Sequence, residues 1–185
     1  MRLGNVYKLA LKFMKITYGK NLNLYGIPVI LKNQTASISI GNNCHIKSSF
    51  LSNLLGLYQR TIICARDKGI IELGNNIGIS GATIYARTRI TIGDKCIIGG
   101  NVKILDNDFH PADPAIREHT PVKSYGAVPI TIGRNVFIGC NSLILKGSNI
   151  GDNSVIGAGS VVSGMIPSNC MAAGNPAKVI KYFNS

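Results

Sequence analysis

Aliphatic residues recur every six positions through the second half of this chain. Small residues, mostly Gly and Ser, stand one and four places after most of these slots. A period of six matches neither the 3.6-residue turn of a helix nor the two-residue alternation of a strand. It is typical of short strands separated by tight corners, three to a coil, in a triangular solenoid. The six consecutive slots are Ile132, Ile138, Ile144, Ile150, Ile156 and Val162.

The same pattern continues upstream in shorter blocks. The register slips between the blocks, as expected where loops interrupt the coils. Each coil of such a solenoid contacts mainly its neighbours, and the stacked aliphatic side chains form the core. The pattern therefore predicts an all-β parallel β-helix over residues 23–173. The upstream slots are Ile40, Ile46, Leu73, Ile79, Ile92, Ile98 and Ile104.

The two ends of the chain depart from this pattern. Residues 3–16 place apolar side chains at helical spacing with lysines between them, which predicts a basic amphipathic helix in an N-terminal segment 1–22. This helix could bind an anionic membrane surface or pack against the solenoid or a neighbouring subunit. Residues 174–185 follow Gly174, and we expect them to form a short helix that caps the last coil.

Composition limits the possible partners. The 185 residues include 20 Lys and Arg against 8 Asp and Glu, a net charge of +12 that attracts polyanions. Without basic runs or basic-aromatic interleaving, nucleic acid is the least favoured of these, after an anionic membrane face or a phosphorylated cofactor. Five Cys without metal spacing and the lack of a signal sequence indicate a cytoplasmic protein, either free or at the inner face of the membrane.

The longest interruption, residues 105–129, concentrates ionisable groups. This polar loop holds four of the eight acids and two of the three histidines, His110 and His119. Long loops in compact repeats are usually functional. A carboxylate such as Asp106 or Asp108 can orient a nearby imidazole and stabilise its charged form, which makes His110 a candidate general base. A solvated loop histidine is the alternative.

Several motifs resemble the hexapeptide-repeat acyltransferases. They are DFHP in the loop, the restart PITIGRNVFIG, and the closing segments SVIGAGSVV and AAGNPAKVI, within roughly residues 70 to 183. The similarity is greatest to the sugar and polysaccharide O-acetyltransferases and the maltose, galactoside and xenobiotic acetyltransferases. It implies a left-handed parallel β-helix that works as a homotrimer, takes acetyl from acetyl-CoA and needs no metal.

The resemblance also assigns roles to residues. His110 would be the general base, and the backbone N–H at Cys140 would stabilise the oxyanion. Lys178 and Lys181 would contact coenzyme A phosphates, and relatives often carry Lys or Arg where Gly164 stands. The acceptor is less defined, because no residue matches the family's sugar-holding Asn. The expected cofactor contacts are Cys140, Ala158, Ser163, Gly164, Lys178 and Lys181, and the acceptor candidates are Ser80, Asn101, Asp113 and Arg117.

Three other functions stay open. The first is N-acetylation of an amino sugar nucleotide or another small acceptor. The second is a zinc-dependent, carbonic-anhydrase-like enzyme, which needs about three protein ligands, whereas the chain has only His45, His110 and His119. The third is a non-catalytic solenoid, which would not need the acidic, histidine-containing loop.

Overall fold

The computed structural model describes residues 2–119 and 126–184. Residue 1, residues 120–125 of the predicted loop and residue 185 of the predicted cap lie outside the described residues. Strands, numbered in chain order, form three sheets that share one core. The first sheet runs in the order β1 (Thr17–Tyr18), β4 (Ser37–Ile40), β7 (Ile70–Leu73), β10 (Arg89–Ile92), β13 (Ile130–Ile132), β16 (Asn149–Ile150) and β19 (Met165–Ile166).

The second and third sheets repeat this arrangement, so each coil contributes one strand to each sheet. The second sheet contains β2 (Asn23–Tyr25), β5 (His45–Lys47), β8 (Gly78–Ser80), β11 (Ile97–Ile98), β14 (Phe137–Ile138), β17 (Val155–Ile156), β20 (Cys170–Gly174) and β21 (Ala177–Tyr182). The third contains β3 (Val29–Lys32), β6 (Ile62–Ala65), β9 (Thr83–Ala86), β12 (Lys103–Leu105), β15 (Leu143–Ile144) and β18 (Val161–Val162).

The aliphatic ladder fills the interior, as the six-residue period predicts. In the second sheet Ile46, Ile79, Ile98, Ile138 and Ile156 lie in register on successive strands, and each is at most 1% exposed. Burial of one such side chain contributes about 2 kcal/mol. The predicted parallel β-helix is therefore confirmed, although its first strand begins at Thr17, before the predicted boundary at residue 23.

A row of asparagines turns the chain between the first and second sheets. Most of these corners hold an Asn at positive φ, a conformation that Asn tolerates better than most residues. The side-chain amides of Asn43 and Asn76, and of Asn135, Asn153 and Asn169, also hydrogen-bond to one another at 2.9–3.3 Å. Lys95, with φ of 61°, occupies the one corner between these two groups.

The N-terminal helix forms as predicted. It spans Arg2–Phe13 (α1), with Leu11 fully buried and Tyr7 packed against the core. The Tyr7 hydroxyl accepts a hydrogen bond from the Ile30 N–H at 3.1 Å, which ties the helix to the third sheet. No helix in the described ranges is both long and apolar enough to cross a membrane.

The predicted C-terminal helix is wrong. Residues 177–182 instead form β21, which pairs antiparallel with β20 and extends the second sheet. A helix would leave the N–H and C=O groups of β20 unpaired at the end of the solenoid, whereas a strand satisfies them. The expected capping role is thus filled by a strand.

Two insertions leave the coils. One is the predicted loop after β12, which contains a second helix, α2 (Pro114–His119). The other lies between β5 and β6 and includes a 3₁₀ turn, Phe50–Ser52. We call residues 50–58 of this second insertion the apolar loop, because five of its large apolar side chains are exposed: Phe50, Leu51, Leu54, Leu55 and Tyr58.

Candidate active site

The segment that carries His110 is anchored by Asp106. This carboxylate is 0% exposed and accepts hydrogen bonds from the N–H groups of Arg87 and Thr88, the Thr88 hydroxyl and the Asn107 amide, at 2.7–3.1 Å. Such a carboxylate satisfies donors that would otherwise be buried without partners. Asp106 therefore fixes the loop to the preceding coil.

A tight turn then presents the imidazole. The Asn107 side chain accepts from the Phe109 N–H at 3.0 Å, and the Phe109 ring lies 5.0 Å from that of Tyr85. Phe109 has φ of 61°, and the His110 N–H donates to the Asp108 carbonyl at 2.6 Å, which closes a γ-turn. His110 is therefore exposed to solvent at the end of this turn.

The two carboxylates expected to assist His110 have other partners. Asp108 forms an ion pair with Lys146 from the next coil, and Asp106 binds the groups named above. Among the described residues neither carboxylate hydrogen-bonds to the His110 ring. Both carboxylates therefore tie the segment around His110 to neighbouring coils.

The acceptor candidates separate in space. Asp113 accepts from the Ala115 N–H at 2.9 Å at the start of α2, and Arg117 donates to the carbonyls of Pro111 and Ala112 at 3.0 Å. Asn101, only 4% exposed, donates to the Gly56 carbonyl at 3.0 Å and holds the apolar loop. Of the four, only Ser80 lines the cavity described next.

A groove of about 830 Å³ runs along the outer face of the second sheet. This volume is in the range of small-molecule sites. The floor passes from Tyr25 on β2 to Met171 on β20, and Leu55 of the apolar loop lines one side. Seven strands at about 4.8 Å spacing give it a length of about 29 Å.

Cys140 and Ala158, two of the residues predicted to contact the cofactor, line this groove. They occupy the same corner of successive coils, where the Gly159 N–H donates to the Cys140 carbonyl at 2.9 Å. Within the described part of the chain, the N–H groups of Cys140 and Ala158 have no acceptor. Both can therefore donate to a bound carbonyl or oxyanion.

The other four cofactor candidates occupy two places. Lys181 pairs with the groove residue Met171, and Lys178 pairs with Ala173 on the same strand. Because paired residues of antiparallel strands share a face, both lysines extend the end of the groove with positive charge. Ser163 and Gly164 instead follow β18 at the edge between the third and first sheets, on the same side as the loop that carries His110.

The cysteines differ in reactivity. Burial raises the pKa of the Cys96 thiol to about 11 and also raises the pKa of Cys44. Buried thiols of this kind are poor nucleophiles. Cys140 is partly exposed in the groove, whereas the other four are buried. In residues 2–119 and 126–184, no group of three His, Cys, Asp or Glu side chains could hold a metal.

Sequence reasoning missed the polar residues at the N-terminal end of the groove. Tyr25, His45 and Lys47 line it there. One signal was present: residues 1–66 contain nine Lys and Arg and no Asp or Glu. The alternation of β5 also places His45 and Lys47 on the face opposite to the buried Ile46.

Comparisons with known proteins point to one family. The family profile "Bacterial transferase hexapeptide (six repeats)" matches residues 129–164. The chain is 45% identical over 115 residues to "Galactoside O-acetyltransferase" of Escherichia coli (strain K12), covering 62% of this chain and 55% of the relative. It is 32% identical over 171 residues to "Putative lipopolysaccharide biosynthesis O-acetyl transferase WbbJ" of the same strain, covering 89% and 81%.

Solved structures extend the comparison. A galactoside acetyltransferase in complex with coenzyme A superposes with a TM-score of 0.59 at 30% identity, over 90% of this chain and 65% of that one. AntD, an N-acyltransferase from Bacillus cereus, gives a TM-score of 0.72 at 23% identity over 95% and 88%, which supports the fold alone.

The chain belongs to the hexapeptide-repeat acetyltransferases. The predicted left-handed β-helix class is confirmed by these neighbours.

Proposed function

We propose that this protein transfers acetyl from acetyl-CoA to a hydroxyl of a sugar or surface-polysaccharide precursor. The proposal rests on one observation in a chain of this family: the groove holds two backbone N–H groups that have no acceptor among the described residues. The names of these relatives, "Galactoside O-acetyltransferase" and "Putative lipopolysaccharide biosynthesis O-acetyl transferase WbbJ", favour a sugar acceptor. An amino sugar is the second candidate, because a structure of AntD holds dTDP-4-amino-4,6-dideoxyglucose together with coenzyme A.

Direct transfer needs only groups already described. His110 accepts the hydroxyl proton as the acceptor oxygen attacks the thioester carbonyl. The N–H of Cys140 stabilises the oxyanion of the tetrahedral intermediate. The intermediate collapses with cleavage of the C–S bond, and the departing thiolate takes the proton from the imidazolium. Lys178 and Lys181 bind coenzyme A phosphates.

We further propose that the enzyme works as a homotrimer. His110, Ser163 and Gly164 lie at the edge between the third and first sheets, whereas Cys140 and Ala158 lie between the second and third sheets. One chain therefore offers the base and the groove on different edges. A cyclic assembly would bring the edge of one copy to the groove of the next, and closed symmetry with three copies would repeat that interface three times.

Attachment to the inner face of a cytoplasmic membrane is a related proposal. Val6, Leu9 and Phe13 form an exposed stripe on α1, on the side away from Leu11, and Lys12 is exposed beside it. Apolar stripes flanked by lysine suit an anionic lipid surface. We expect Phe13→Ser to reduce sedimentation with anionic vesicles, and no effect would favour a contact with another subunit instead.

A thiol-release assay with acetyl-CoA tests the main proposal. The acceptor panel should pair simple sugars, nucleotide sugars and oligosaccharides with their amino counterparts, which separates O- from N-transfer. We expect His110→Ala to lower acceptor-dependent release by about 10² to 10⁴. His119→Ala, in α2 of the same loop, is the matched control and should leave the rate unchanged. Equal rates for wild type and His110→Ala would contradict the role of His110.

A further inference from the structure

The outer face of the second sheet changes character at Gly78. In register along the sheet lie Asn23 and His45, then Gly78, then Ile97 and, beyond them, Phe137, Val155 and Met171. Side chains are polar on one side of the glycine and apolar on the other. The groove thus has two chemically distinct ends.

Gly78 itself leaves a notch in this face. A Cβ built at Gly78 meets no atom within 4 Å. A strand glycine with open space above it marks a place where a ligand can approach the backbone closely. The notch lies between His45 and Ile97, at the junction of the polar and apolar ends, and Ser80 stands two residues along the same strand.

The polar end, defined by Tyr25, His45, Lys47 and Ser80, is built for recognition. The rings of Tyr25 and His45 are stacked, with their centroids 6.0 Å apart and an angle of 16° between their planes. A hydrogen bond of 3.2 Å joins the Tyr25 hydroxyl to His45 Nδ1. Lys47 lies beside Tyr25 and Ser80 in the strand register. The pair offers a flat surface with a polar edge, and Lys47 adds a positive charge.

The charge at this end has no acidic counterpart. No Asp or Glu lines the groove among the described residues, and Lys47 takes part in none of the ion pairs found there. Residues 1–66, which include Lys47, carry nine Lys and Arg and no Asp or Glu. A cleft lined by one sign of charge concentrates ligands of the opposite sign.

We infer that the polar end binds the acceptor as a sugar phosphate, either free or within a nucleoside diphosphate sugar. The inference rests on the proposed function, since it takes the apolar end as the site of the coenzyme A arm. Lys47 stands one strand, about 4.8 Å, from Ser80, which is about the width of a sugar ring. The phosphate therefore lies at Lys47, the ring lies on Tyr25 and His45 beside the notch, and the reacting hydroxyl points to the corner of Ser80, which Cys140 shares two coils further on.

Direct binding tests this assignment without any turnover. Calorimetry should measure the affinities of galactose, galactose 1-phosphate and UDP-galactose for the protein saturated with coenzyme A. The affinity for coenzyme A is measured separately. We expect at least one phosphorylated ligand to bind more tightly than galactose, and Lys47→Met to weaken it by about tenfold or more, the usual loss for a charged hydrogen bond. The two phosphorylated ligands distinguish a free from a nucleotide-linked phosphate.

Lys32→Met is the matched control. It removes the same charge from the same acid-free segment, but from β3 in the third sheet. Equal weakening by both variants, or no preference for the phosphorylated ligands in wild type, would overturn the inference. Failure to bind coenzyme A would instead count against the proposed function, while the sugar phosphate result would still decide this one.

Gly78→Val supplies a second variant that we expect to fold, because the space is open. It should weaken the phosphorylated ligand by filling the notch and leave coenzyme A affinity unchanged. Unchanged affinity for the phosphorylated ligand would place the acceptor elsewhere.

Discussion

The coils before and after Pro129 share one core but differ in strand length, in insertions and in the number of acidic residues. The later, regular coils (residues 130–174) have mostly two-residue strands and no insertion. The earlier, irregular coils (residues 17–129) have strands of up to four residues, both insertions and seven of the eight acids. The stacked aliphatic core constrains only the side chains that point inward. The outward side chains and the loops of the irregular coils can therefore differ from coil to coil. The regular coils supply the proposed donor site, and the irregular coils supply the base and the proposed acceptor site.

The largest difference in stability should appear between variants of two aspartates whose carboxylates accept hydrogen bonds from backbone N–H groups. Asp106→Ala in the irregular coils leaves three partly buried donors of Arg87 and Thr88 without an acceptor. We expect the free energy of unfolding to fall by about 2–3 kcal/mol, since a fully buried donor without an acceptor costs about 1–3 kcal/mol and these three are only partly buried. Asp152→Ala removes an exposed contact to the Arg134 N–H in the regular coils and should cost about 1 kcal/mol or less. Urea unfolding measures both, and equal losses would contradict the anchoring role of Asp106.

A pair of glycines gives the next contrast. A Cβ at Gly139 would lie 2.5 Å from the Ala158 backbone nitrogen, whereas one at Gly78 meets nothing. We expect Gly139→Ala to destabilise the protein by about 1–3 kcal/mol through overpacking and Gly78→Ala to leave stability nearly unchanged. Thermal unfolding of the two variants checks this. A low melting temperature for Gly78→Ala would show that the notch is not open.

Alkaline pH should lower the stability of the protein through the buried thiol of Cys96. Val136, its neighbour in the regular coils, has no group that ionises. The Cys96 pKa is raised from 9.0 to about 11 by burial, so the folded state holds a proton that the unfolded state releases. The stability that this thiol supports is complete below pH 9 and declines as the pH rises through 11, by at most about 1.4 kcal/mol per pH unit. Cys96→Val should flatten the decline between pH 9 and 11. Parallel pH profiles for wild type and variant would refute this.

The smallest effect concerns the asparagine corners. Lys95 adopts positive φ in the irregular coils, between Asn76 and Asn135 of neighbouring corners. Lys95→Asn should gain about 0.5–1 kcal/mol, because Asn tolerates this conformation. Asn153→Lys, the reverse change in the regular coils, should lose a similar amount together with two amide contacts. A loss of stability in Lys95→Asn would show that Lys95 has a favourable role of its own.

The six-residue period of the sequence predicted the core positions. It did not predict the contacts that side chains and strand edges make on the outside of the coils. The six-residue slots located the core because inward positions repeat in every coil. Asp106 could not be recognised as an anchor, since its partners Arg87 and Thr88 belong to the preceding coil. Residues 177–182 were assigned to a helix because the unpaired edge of β20 is invisible in the sequence. Ser163 and Cys140 were grouped as cofactor contacts, although the coil places them on different edges.

The unequal exposure of the five thiols makes this protein convenient to label. Four cysteines are shielded and only Cys140 is open, in the middle of the groove. A maleimide or iodoacetamide dye should therefore attach at one defined position under native conditions. Protection from the dye would report occupancy of the groove for any candidate donor. Ligands could thus be ranked by fluorescence before a single acceptor is known.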